Sequence, residues 1–214
     1  MKCIFVFFAL ALTFSSCKKS ENNASSDIAQ PEPVAEIVSF DIEPDIIMYN
    51  KTGVDTSYSK PLDVDQDGFS DFLLSLTTYS TNRLTGGHSP VPNHWTDIAI
   101  SSFGPDNKIG SFKDCNNSSC VPYAKFLDSG QVINNSIVYF NMGVGHDFKL
   151  YNGVPDQPEL DVTGIKYIPL ILNNKYFAWI KVESFGRSGR KVIVKSVGFN
   201  RTIMMPIRAG ERGT

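Results

Sequence analysis

The chain has 214 residues, with 20 basic and 22 acidic side chains and a formal net charge of −2 at pH 7. This balance argues against a nucleic-acid-binding protein, which needs a strongly basic surface. Beyond the N-terminal segments, about 175 residues remain, enough for one domain with a hydrophobic core.

The N-terminus is organised as a signal peptide. A short basic start, Met1-Lys2, precedes an apolar run over residues 3–14, which is shorter than the ~20 residues of a membrane-spanning helix. The run ends in Phe14-Ser15-Ser16-Cys17, which resembles the lipobox of bacterial lipoproteins, with Phe14 where Leu is usual. The resemblance implies that residues 1–16 are removed and that Cys17 is lipidated. The alternative is an ordinary signal peptide, with Cys17 incidental.

Residues 17–36 are predicted to form a lipidated cysteine and a flexible tether. The segment is polar and contains two prolines, so it cannot bury enough surface to fold. About 15 such residues have a root-mean-square end-to-end distance of roughly 20 Å, so the domain is expected to lie just off the bilayer. By the sorting rule of enteric lipoproteins, Lys18 in place of Asp after Cys17 implies the outer membrane. The predicted partner is therefore the membrane, which the protein reaches through its N-terminal lipid. The sequence does not determine which leaflet of the outer membrane holds the lipid.

Residues 37–214 are predicted to form one all-β domain, a jelly-roll-like β-sandwich, with a barrel as the second interpretation. Short runs rich in Val, Ile, Tyr and Phe are bounded by Gly, Asn, Asp or Pro. The predicted strands are 37–42, 72–79, 98–103, 121–127, 132–140, 165–172, 176–182 and 191–199. Asn173-Asn174 is predicted to form a tight hairpin turn, because Asn tolerates positive φ.

The strongest chemical motif is an acidic segment over residues 63–71, which reads D-x-D-x-D-G-x-x-D. Alternating carboxylates and a glycine at the sharp turn are typical of calcium loops. The predicted ligands of a structural calcium ion are Asp63, Asp65, Asp67, the Phe69 carbonyl and Asp71.

This segment departs from an EF-hand, because Leu74 stands where the bidentate Glu would be. It resembles instead the calcium loops between strands of extracellular repeat and propeller proteins. A further ligand would come from water or from Glu43, Asp45 or Asp55. The alternative is a plain β-turn at Asp67-Gly68, although crowded carboxylates repel one another and a turn does not need them.

A second candidate site is the loop over residues 86–95, with His88, His94 and Trp95. One interpretation is a glycan-binding loop in which Trp95 stacks on a sugar ring. The other is a surface loop whose Trp95 packs into the core.

Two further cysteines, Cys115 and Cys120, lie in a turn-rich segment. An exported protein meets an oxidising compartment, so a disulfide is predicted between them. The C-x₄-C spacing without a nearby His does not favour a metal or redox pair.

The C-terminal segments 167–170, 176–182, 191–200 and 207–211 resemble the closing strands of a group of secreted bacterial β-sandwich proteins. Ala178 stands where that group has Gly, and Val197-Gly198-Phe199 replaces its usual strand ending. The resemblance implies a fold and no activity. Trp179 is predicted to pack in the core.

The sequence does not indicate an enzyme. Nucleophile elbows, H-E-x-x-H and phosphate-binding loops are absent from it. The prediction is a non-enzymatic binding or accessory module with a protein or glycan ligand. A carbohydrate-binding or glycan-processing protein is the alternative, and a hydrolase with an unrecognised site stays open.

Overall fold

The computed structural model describes residues 34–49, 56–83, 91–112, 123–141, 148–152, 162–185 and 191–213, all within one compact unit, Pro33–Thr214. These residues form antiparallel strands and no helix, so none of them lies in a helix that could cross a membrane. The strands are β1 (Ile37–Tyr49), β2 (Thr56–Leu62), β3 (Phe72–Arg83), β4 (Val91–Ser102), β5 (Lys108–Gly110), β6 (Val132–Ile133), β7 (Tyr139–Phe140), β8 (Phe148–Asn152), β9 (Thr163–Leu172), β10 (Tyr176–Phe185), β11 (Lys191–Asn200) and β12 (Ile207–Arg208).

Two large sheets form the fold. One has six strands in the order β1-β11-β10-β9-β5-β7, and the other has four in the order β2-β3-β4-β8. A small sheet pairs β12 with β6. Strands that follow one another in the chain mostly pair with each other, as in β2-β3-β4 and β9-β10-β11. The predicted all-β, sandwich-like fold is confirmed.

The main core lies between the two large sheets. Leu74, Leu76 and Ile100 of the four-stranded sheet share one cluster of buried apolar side chains with Ile180 and Val194 of the six-stranded sheet. Each strand presents alternate residues to each face, so one face of each sheet supplies this cluster. Burial of these two apolar faces therefore holds the sheets together.

The outer face of the six-stranded sheet carries a second core. Phe177 and Trp179 alternate with the main-core residues of β10 and pack with Leu127, Ile133 and Ile207. Trp179 is buried, and its ring meets that of Tyr167 edge-on at 5.5 Å between centroids. The predicted core role of Trp179 is confirmed.

Several strand boundaries differ from the predictions. The predicted strand 132–140 is divided into β6 and β7 by a turn in which Asn134 Oδ1 accepts the Ser136 N–H at 2.9 Å. In the described part of the predicted strand 121–127, Ala124 and Leu127 form only isolated bridges. Local side-chain bonding by Asn134 competes with strand pairing here. Strands β2, β5 and β8 were not predicted.

The predicted hairpin turn between β9 and β10 is confirmed. Asn173 and Asn174 have φ values of 51° and 54°, and the Lys175 N–H donates to the Leu172 carbonyl at 2.8 Å. Positive φ at both central residues matches the right-handed twist of the paired strands.

Candidate metal centre

The acidic segment 63–71 connects β2 and β3, which pair from Thr56↔Thr78 to Leu62↔Phe72. Both ends of the loop are fixed. Val64 is fully buried in the main core, and the Asp71 N–H donates to the Leu62 carbonyl at 2.9 Å. The position of the acidic side chains is therefore set by the sandwich core and by the strand pairing.

Three carboxylates of this loop converge. Asp63, Asp65 and Asp71 each offer one oxygen, and these oxygens lie within 4.8 Å of one another. This is the one such group among the residues that the structure describes. Hard oxygen ligands at this separation can hold a metal ion.

Backbone N–H groups hold the carboxylates in place. Asp63 Oδ2 accepts the Gly68 N–H at 2.9 Å, and Asp71 Oδ2 accepts the Val64 N–H at 2.8 Å. Gln66 and Gly68 have positive φ, 60° and 93°, which produces the sharp turn. Glycine adopts this conformation without the steric cost of a Cβ atom.

Asp67 lies outside the converging group. Its Oδ1 accepts the Phe69 N–H at 2.8 Å, an Asx-turn contact within the loop. The sequence motif predicted Asp67 as a ligand alongside its neighbours; in the structure it is not one of the three converging carboxylates, and its Oδ1 supports the turn. Spacing alone does not separate these two roles, because both use carboxylates at alternate positions.

The converging carboxylates lie in an environment that disfavours their negative charge. Burial raises the pKa of Asp71 to about 6, and the charges of Asp65 and Asp63 act in the same direction. Burial, followed by the charges of Asp67 and Asp63, also raises the pKa of Asp65. Asp63 Oδ1 is buried and has no hydrogen-bond partner among the described residues. A bound cation would offset all three effects.

A pH dependence follows for the protein in EDTA. The folded-state pKa of Asp71 is about 6 against an ordinary 3.8, so the folded protein holds this proton more tightly than the unfolded chain. The free energy of unfolding should fall as pH rises from about 4 to about 6, by up to about 3 kcal/mol. Urea unfolding between about pH 4 and about pH 6 should show this fall in the free energy of unfolding for the wild type. Asp71→Asn, which lacks the titrating carboxyl, should show a smaller fall. Parallel curves for the two proteins would contradict the prediction.

Asn107 is a part of this site that sequence reasoning missed. It is buried, and its Nδ2 donates to the carbonyl and to Oδ1 of Asp71, each at 3.3 Å, and to the Phe103 carbonyl at 3.1 Å. Its Oδ1 accepts the Asn173 N–H at 2.9 Å. One amide therefore connects the acidic loop to the β9–β10 turn. Asn107 directly precedes strand β5, which was not predicted, and a single Asn outside any sequence motif does not indicate a site residue.

The other predicted site residues that the structure describes are not part of this converging group. Asp45, a candidate further ligand, pairs with Lys195 at 3.0 Å instead. His94 and Trp95 lie in β4, opposite Ser80 and Tyr79, so the predicted loop 86–95 is a strand from Val91 onward. The side chains of His94 and Trp95 lie outside the described part of the structure, as do Cys17, Asp55, His88, Cys115 and Cys120.

Comparison with known proteins returned no relative. No protein-family model matches the chain, and neither a curated protein nor a solved structure matches it significantly.

Proposed function

We propose that this protein is a lipoprotein anchored in the outer membrane, with a β-sandwich domain stabilised by a calcium ion bound at Asp63, Asp65 and Asp71. In this proposal it acts as a non-enzymatic binding or accessory module. The observation that carries the metal assignment is the convergence of three carboxylate oxygens within 4.8 Å of one another. The partnerless Oδ1 of Asp63 supports it.

Calcium is the ion that suits this group best. All the converging ligands are carboxylate oxygens, whereas zinc sites are built mainly from Cys and His. Calcium takes six to eight oxygens in flexible geometry, and magnesium demands a near-ideal octahedron. Carboxylates that bind through one or two oxygens, together with the Phe69 carbonyl and water, would complete a calcium shell. Extracellular sites of this kind are often weak, with Kd near 10⁻⁴–10⁻³ M.

Calcium is expected to raise the melting temperature of the mature protein. At about 10 mM calcium, a site that exists only in the folded state and has a Kd of 10⁻⁴–10⁻³ M adds about 1.4–2.7 kcal/mol. For a domain of this size that corresponds to roughly 3–10 °C. The measurement is thermal unfolding in about 10 mM calcium, in the same concentration of magnesium, and in EDTA.

Two sets of variants make this test specific to the converging group. Asp63→Asn/Asp65→Asn should abolish the calcium shift. Asp67→Asn is the matched control, because Asp67 lies outside the group and an Asn Oδ1 can still accept the Phe69 N–H. It should retain most of the shift. A wild type that melts at the same temperature in calcium and in EDTA would refute the calcium site.

The lipid anchor is supported by the apolar run at residues 3–14 and the Phe14-Ser15-Ser16-Cys17 motif. Two or three acyl chains anchor a protein stably, at about 0.8 kcal/mol per buried CH₂. Mass spectrometry of the N-terminal peptide from a bacterial host should show a mature chain that starts at an acylated Cys17. A chain that lacks residues 1–17, and with them both the apolar run and the acylated cysteine, should appear in the soluble fraction. A non-acylated mature N-terminus would refute the anchor.

A further inference from the structure

The N-terminal segment enters the domain at the same end of the sandwich as the acidic loop. The Val34 carbonyl accepts the Thr202 hydroxyl at 3.0 Å, and the Glu36 carbonyl accepts the Arg201 N–H at 2.7 Å. The chain before Val34, which contains Cys17, therefore continues from a point beside the turn 201–205.

A continuous set of hydrogen bonds links this turn to the acidic loop. The Met204 N–H donates to the Lys175 carbonyl at 2.7 Å, and Lys175 closes the β9–β10 turn. Asn173 of that turn donates to Asn107, which holds Asp71. We call this end of the sandwich, formed by residues 34–36, 63–71, 103–107, 173–175 and 201–205, the tether end.

Large apolar side chains project from the tether end. Phe69 is 77% exposed and Ile203 is 63% exposed, and Met204 beside it is also exposed. Phe69 lies in the acidic loop, held by its N–H bond to Asp67, and Met204 has a φ of 51° in its turn. Exposed apolar side chains on loops anchored by the core are suited to insertion into an interface.

We infer that the tether end is a docking surface for the phospholipid bilayer, with Phe69, Ile203 and Met204 inserted among the headgroups. This inference rests on the proposed lipid anchor at Cys17. The bilayer is the partner of this surface because the segment that carries the lipid anchor joins the domain here. The predicted tether of about 15 residues has a root-mean-square end-to-end distance of roughly 20 Å, so the surface beside its attachment lies on average close to the bilayer. Tethering raises the effective concentration of that surface at the membrane, so a few apolar side chains are enough to populate the contact.

Bound calcium would favour an orientation of the domain in which the tether end faces the bilayer. Asp63, Asp65, Asp67 and Asp71 also lie at the tether end, and their uncompensated charges would be repelled by anionic headgroups. The docking test is therefore made in calcium.

The test uses the lipidated protein in vesicles of phosphatidylethanolamine and phosphatidylglycerol, part of them carrying brominated acyl chains that quench nearby tryptophan. Phe69→Trp and Ile203→Trp place a reporter at the tether end. Phe112→Trp and Ile165→Trp are matched controls, because these residues are 59% and 43% exposed and lie away from that end, on the far side of β5 and at the start of β9.

The added tryptophan at positions 69 and 203 should lose emission in brominated vesicles and shift to shorter wavelength in unbrominated ones. The controls should behave as the parent protein does. Equal, weak quenching of all four variants on acylated protein would overturn the docking surface and leave the lipid anchor and the calcium site standing. A mature chain without acyl groups at Cys17 would overturn both the anchor and the docking that depends on it.

Discussion

Replacing Asn107 with alanine is expected to lower the free energy of unfolding by about 2–4 kcal/mol. The amide is buried and makes four hydrogen bonds: three as donor to Asp71 and Phe103, and one as acceptor from Asn173. Its removal leaves buried polar groups of two separate turns without these partners. The melting temperature should fall by roughly 5–15 °C.

The same substitution should also weaken calcium binding. Asn107 Nδ2 orients the carboxylate of Asp71, one of the three converging side chains. Loss of a group that orients a metal ligand typically costs 10- to 100-fold in affinity. The dependence of the melting temperature on calcium concentration, compared between the wild type and Asn107→Ala, measures this change even for weak binding.

Asn200→Ala is the control for that measurement. Asn200 is also a fully buried amide, which donates to the Met205 and Pro206 carbonyls and accepts the Thr202 N–H at 2.9 Å. Its loss should destabilise the domain while the calcium affinity stays unchanged. Equal calcium affinity in the wild type and in Asn107→Ala would show that Asn107 acts on folding alone.

Gly198→Ala is expected to destabilise the domain by about 3 kcal/mol, the upper part of the usual range for overpacking. Gly198 pairs with Trp179 across β10 and β11. A Cβ atom at position 198 would lie 2.5 Å from Cζ2 and 2.7 Å from Cε2 of the indole ring. The ring cannot withdraw easily, because it is buried against Tyr167 in the second core.

A double-mutant cycle tests this explanation. In a Trp179→Phe background, the smaller ring leaves room for the new methyl group, so Gly198→Ala should cost less than about 1 kcal/mol. Trp179→Phe alone should cost about 1–3 kcal/mol, because it leaves a cavity. Denaturant unfolding of the four proteins gives the coupling energy. A penalty for Gly198→Ala that is the same in both backgrounds would place its cause elsewhere in β11.

The strands with strong apolar patterning were predictable from local sequence. β9, β10 and β11 are rich in Val, Ile and aromatic residues. The turn between β9 and β10 is formed by Asn173 and Asn174, a residue type that tolerates positive φ. The missed strand β2, in contrast, is mostly polar and includes Pro61, and only Leu62 at its end is buried. Strand β2 is stabilised by its pairing with β3, and the residues of β2 alone do not predict this pairing.

The candidate metal site was predictable in part. The alternating carboxylates of residues 63–71 identified the loop, and the structure brings Asp63, Asp65 and Asp71 together. Asp67 is not among these three, and its Oδ1 accepts the Phe69 N–H. Which carboxylates converge depends on how Val64 and Asp71 are buried at the ends of β2 and β3, and that burial is a property of the packed sandwich.

The sequence by itself determined the strand-rich class of the domain and the position of its acidic loop, because alternation, turn residues and charge spacing act over a few residues. Only the tertiary structure decided that Asn107 holds Asp71, that Gly198 makes room for Trp179, and that Val34 meets Thr202 beside the exposed Ile203. Each of these contacts joins residues far apart in the chain. They form only when distant strands have paired and both cores have packed, which no local pattern encodes.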